Sequence, residues 1–77
     1  MHELDQVVVT ENLREIAVRS GDIGTIVYVY PSHTVFEVEF VTLRGVTLGV
    51  VTLNECAIRP VLEGEIRHAR QLSESLR

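Results

Sequence analysis

From residue 35 the chain reads Val-Phe-Glu-Val-Glu-Phe-Val, so that Phe36, Val38 and Phe40 alternate with Glu37 and Glu39. A period of two puts the aromatic and valine side chains on one side and the carboxylates on the other, the pattern of a half-buried strand. Residues 5–10, containing Val7, Val8 and Val9, read as an earlier strand, with Glu11 and Asn12 as the break after it. Leu13, Ile16 and Val18 lead to Ser20-Gly21-Asp22, a change of direction. Residues 23–30 run extended, with Ile26, Tyr28 and Tyr30 expected on one face and Val27 and Val29 on the other. Pro31-Ser32-His33-Thr34 has hairpin-loop length, and residues 35–41 return as the partner strand. Arg44-Gly45 turns the chain again before a strand over 47–53, in which Gly49 marks a bulge or a close approach. Residues 57–60 fit a last edge strand, because Pro60 cannot donate to a ladder and stops it.

After Pro60 the pattern changes. Residues 63–76 contain one β-branched residue, Ile66, and Leu62, Ile66, Ala69, Leu72 and Leu76 recur at helical spacing. Glu63 with Arg67 and Arg70 with Glu74 are opposite charges four apart, each pair worth only about 0.2–0.5 kcal/mol. The spacing predicts an amphipathic α-helix that must dock on something, since a free helix shorter than about 12–15 residues is marginal in water.

Composition limits what such a chain can be. Of its 77 residues, 24 are valine, isoleucine or threonine, which suit a pleated surface. A core of this size seldom supplies more than about 3–5 kcal/mol, and natural domains below about 70–80 residues add disulfides, metals or subunits. A lone Cys56 makes no internal disulfide, and His2, His33 and His68 lack metal-ligand spacing, so assembly into a homo-oligomer is the expected reinforcement. No secretory signal precedes Leu4 and no apolar run is long enough to span a bilayer, which points to a cytoplasmic protein without a membrane partner. There is no lysine, which excludes Schiff-base chemistry and the phosphate-loop lysine. The net charge of −4 lies entirely before Val61. Nucleic acid is therefore a disfavoured partner, whereas a basic protein is electrostatically complementary.

The strings Leu4-Asp5-Gln6-Val7-Val8-Val9-Thr10, Gly21-Asp22-Ile23-Gly24-Thr25-Ile26-Val27, Phe36-Glu37-Val38-Glu39-Phe40 and Val50-Val51-Thr52-Leu53 together resemble the short bacterial proteins grouped as domain of unknown function 4926. The resemblance covers residues 3–60. The Gly-Asp-x-Gly-Thr segment is also similar to the turn into a strand in SH3-like small barrels. The resemblance implies a mainly β fold, a five-stranded, strongly bent SH3-like barrel over residues 1–60. It implies no catalytic residues. The C-terminal helix over 61–77 lies outside it and is expected to pack on the barrel or on a neighbouring subunit.

Each candidate site has a plainer structural reading. Gly21-Asp22-Ile23-Gly24 precedes a strand rather than a helix, so a turn is favoured over a dinucleotide cradle. Glu37 and Glu39 lie about 6.5–7 Å apart along one strand face and could bind a cation or act in acid–base chemistry, but alternating glutamates also describe a solvated face. Cys56 reads as a small buried residue rather than a nucleophile. Phe36 and Phe40 are needed in the core, which leaves Tyr30, beside Pro31, as the ring expected at the surface for a peptide. Val27, Val29, Val35, Val41, Val50 and Val51 put apolar groups on both faces of adjacent strands. Monomers rarely expose large apolar patches.

The sequence thus points to a non-enzymatic, self-associating protein–protein interaction module that needs no cofactor. Val27, Val29, Leu62, Ile66, Ala69, Leu72 and Leu76 are the expected interface, and Tyr30, Glu37 and Glu39 the expected partner-binding residues. The alternative is an acidic accessory or neutralising protein, antitoxin- or immunity-like, bound to a basic partner. A nucleic-acid binder, using Arg14, Arg19, Arg44 and Arg59, and a small enzyme using Glu37 and Glu39 rank below both.

Overall fold

A computed structural model describes residues 1–72. Five strands appear in the expected order: β1 (Gln6–Val9), β2 (Ile23–Val29), β3 (Val35–Val41), β4 (Thr47–Asn54) and β5 (Ile58–Pro60), with one 3-10 turn, η1 (Glu55–Ala57), before β5. All pairings are antiparallel, in the order β4-β3-β2-β1-β5. Consecutive strands from β1 to β4 are neighbours, with five-residue loops joining β2 to β3 and β3 to β4 and the longer segment 10–22 joining β1 to β2, and β5 returns to the free side of β1. The expected barrel is not closed: β4 and β5 are the two edges of an open sheet, and no ladder joins them.

The core lies on one face of this sheet. Phe36, Val38 and Phe40 point into it as their alternation predicts, joined by Val7, Val9, Ile26, Leu53 and Ile58. Residues 10–22 close over the core with Leu13 and Val18, which form an isolated bridge, while Ile16 packs against the cluster. Thr10 ties this segment to η1, its N–H donating to the Ala57 carbonyl at 2.9 Å and its hydroxyl to the Cys56 carbonyl at 3.0 Å.

Two irregularities change which residues face out. The β2–β3 register steps from Ile26 opposite Val38 to Tyr28 opposite Glu37, leaving Val27 as an extra residue. Ile26 and Val29 therefore both serve the core, while Val27 and Tyr28 are exposed. This corrects the simple alternation expected over 23–30, since one inserted residue reverses the face of everything beyond it. In β4 the extra residue is Leu48, immediately before Gly49. Cys56 is exposed rather than buried, because Ala57 takes the inward place in η1 while Asn54 Oδ1 accepts the Cys56 N–H at 2.7 Å.

The C-terminal amphipathic helix is absent: residues 61–72 contain no α-helix, and Leu76 lies outside the described residues. Gly64, at φ +89°, holds a left-handed conformation that interrupts helical geometry one turn after Pro60. Arg59 grips the Glu65 carboxylate with two hydrogen bonds, at 3.0 and 2.7 Å, and Glu65 also accepts the Leu62 N–H. With Arg59 donating first and Leu62 second, the Glu65 pKa falls to about 2. Further on, Arg70 reaches Asp22 and the Ala17 carbonyl. These links anchor the segment at Arg59 and Arg70, where exposed pairs four apart would each contribute little. The segment is held by charge, not by its apolar stripe: Ile66 is 87% exposed, and Leu62 and Ala69 are also at the surface.

Burial works against the Asp22 carboxylate, but the Arg70 hydrogen bond, the Arg19 N–H and the charges of both arginines outweigh it and hold its pKa below the ordinary 3.8. A depressed carboxylate stabilises the fold in full above its unfolded pKa, and that stability is lost as pH falls through the folded value. Asp22→Asn is expected to cost about 1 kcal/mol at pH 7, a figure reduced for side chains that are about a quarter exposed. In thermal melts the gap from wild type should close as pH drops below 3.8; a gap independent of pH would contradict the assignment.

Candidate interaction surface

The face of β2, β3 and β4 turned away from the core gathers side chains from three strands. Glu37 stands opposite Tyr28 on one side and Thr52 on the other. The Thr52 hydroxyl donates to Glu37 Oε2 at 2.6 Å, and the Tyr30 hydroxyl donates to the same oxygen. These two bonds, Thr52 first, hold the Glu37 pKa below the usual carboxylate value, while the bond to Glu37 raises that of Tyr30. At neutral pH the pair is thus a carboxylate and an intact phenol. Tyr28 and Tyr30 meet edge to face, centroids 4.9 Å apart at 88°, which fixes both rings. Glu39 lies two residues along the same face, opposite Thr25 and Val50, and accepts a long 3.4 Å bond from Thr47.

The structure brings together the predicted partner-binding residues Tyr30, Glu37 and Glu39, and adds Tyr28 and Thr52. Tyr30 is half-buried, and Tyr28, at 45% exposure, is the more open ring, a consequence of the bulge at Val27. Alternation in adjacent strands hinted at the Glu37–Thr52 pairing, since both are polar positions among apolar ones. The predicted interface residues do not form one patch. Val27 and Val29 lie on opposite faces, Leu62, Ile66 and Ala69 are exposed along an irregular segment, and Leu72 is half-buried.

A second feature adjoins this face. Along β4 the side away from β3 has no strand beside it, and Val50 on it is 52% exposed. Val41 and Val46 are exposed nearby. An open groove of about 930 Å³ separates this hairpin tip from residues 66–72, which Arg70 anchors. Among the described residues, no three His, Cys, Asp or Glu side chains group so as to hold a metal ion, and no helix is long and apolar enough to cross a membrane. Arg59 and Arg70, two of the seven cations, are engaged by Glu65 and Asp22.

A family model described as a domain of unknown function, DUF4926, matches residues 3–60, the stretch over which the sequence blocks carry the resemblance. No curated protein and no solved structure matches the chain.

Proposed function

The chain belongs to the DUF4926 family, and from that premise we propose that it is a protein–protein interaction module that self-associates through the open edge of β4. The observation that carries this reading is the edge itself. β4 is eight residues long, Thr-Leu-Gly-Val-Val-Thr-Leu-Asn, without a charge or a proline. Long uncharged edges are normally blunted, because their free N–H and C=O groups template pairing with another strand. The opposite edge, β5, is three residues long and ends in Pro60, which has no N–H. One competent edge and one blocked edge favour a closed two-fold pair, β4 against β4, over a head-to-tail filament. Pairing centred near Val50 sets two exposed valines side by side and brings no like charges into the ladder, which matters for a chain of net charge −4.

Sedimentation equilibrium at micromolar concentration is expected to give a mass above the 8.7 kDa of one chain. Val50→Asp, which would oppose two carboxylates across the axis, is expected to return the monomer with unchanged circular dichroism. A wild-type chain that stays at 8.7 kDa overturns the reading.

A further inference from the structure

We propose that the outer face of β2, β3 and β4 docks an extended, basic segment of another protein, with arginines at alternate positions meeting Glu37 and Glu39. Glu37 and Glu39 are the only charged residues in these three strands, so the face is negative without internal compensation. Among the described residues the ion pairs use Asp5, Glu65 and Asp22, and no cation is paired with either glutamate. Both hydroxyls that reach Glu37 donate to Oε2, which leaves Oε1 to accept from outside. Tyr28, cross-strand from Glu37 and braced by Tyr30, presents an exposed ring on the same face. A guanidinium satisfies both groups at once, since it is planar, stacks on aromatic rings and donates to a carboxylate in a fixed fork. Two carboxylates about 6.5–7 Å apart match the i, i+2 repeat of an extended peptide. The net charge of −4 steers such a partner towards the chain. Pairing along the β4 edge leaves this face open, so this inference and self-association stand or fall separately.

The test is a titration of the isotopically labelled full chain with the peptide acetyl-Thr-Arg-Val-Arg-Thr-amide, followed by amide chemical shifts, with the Gln-for-Arg peptide as control. Shifts are expected to cluster at Tyr28, Tyr30, Glu37, Glu39 and Thr52 and to be absent with the control peptide. Glu37→Gln should weaken binding about tenfold, as loss of a charged hydrogen bond does. Tyr28→Leu should weaken it about threefold while Tyr28→Phe restores it, because the ring and not the hydroxyl stacks on the cation. Glu63→Gln, in the C-terminal segment, should change nothing. Shifts spread evenly over the surface carboxylates, or equal affinity in wild type and Glu37→Gln, would overturn the proposal.

Discussion

Phe36→Ala is expected to lower the thermal midpoint by at least about 12 °C and to leave a large unfolded population at physiological temperature. Phe36 is one of the largest fully buried side chains, lying on β3 between Val29 on β2 and Leu53 on β4. Truncating a buried phenylalanine costs about 3–5 kcal/mol, the lost transfer energy plus the cavity left behind. The core of a 77-residue domain seldom supplies more than about 3–5 kcal/mol, so one ring accounts for much of the margin. In a domain of this size each kcal/mol moves the midpoint by about 4–8 °C. Phe36→Leu, which keeps most of the volume, should cost clearly less. Calorimetry giving the two variants the same midpoint would show that Phe36 is not packed as described.

Gly24→Ala, a change of one methyl group, is expected to destabilise by about 1–3 kcal/mol. A Cβ built at Gly24 falls 2.6 Å from Val38 Cγ1 and 2.7 Å from Phe40 Cε1, and both neighbours are buried at 2% exposure or less. Neither can swing into solvent, so strands β2 and β3 would have to separate. Because one contact is to a specific methyl, the clash has a distinctive signature in a double-mutant cycle. Val38→Ala removes that methyl and should cost less in the Gly24→Ala background than in wild type. Strict additivity of the two changes in denaturant melts would place the strain elsewhere.

The glycine at this point was visible in the sequence as part of a turn signal, but its role is different. Gly21 makes the turn, with φ +97°, while Gly24 already belongs to β2 and gives Val38 and Phe40 room. The strands themselves were legible to within one residue at every end, because alternation in 35–41 and the Pro60 stop express constraints that act locally. The bulge at Val27 was not. Every residue from Ile26 to Val29 is compatible with either face, and the choice falls to whichever register lets Ile26 and Val29 both reach the core. That choice turned Tyr28 outward and so formed the surface on which the partner proposal rests.

The segment after Pro60 shows the opposite error. Its apolar residues recur at helical spacing, yet an amphipathic stripe stabilises a helix only where something covers it. Arg59 and Arg70 instead bind Glu65 and Asp22, the latter 48 positions away, and the chain follows these anchors. No periodicity encodes a contact of that range. Sequence alone determined the β-rich composition, the order and extent of the strands, the inward set on β3 and the acidic outer face, because each follows from near neighbours along the chain. Tertiary structure decided that the sheet stays open at β4, which way the tyrosines turn and that no helix forms over 61–72. Those outcomes depend on register and on charges that meet only once the strands have paired.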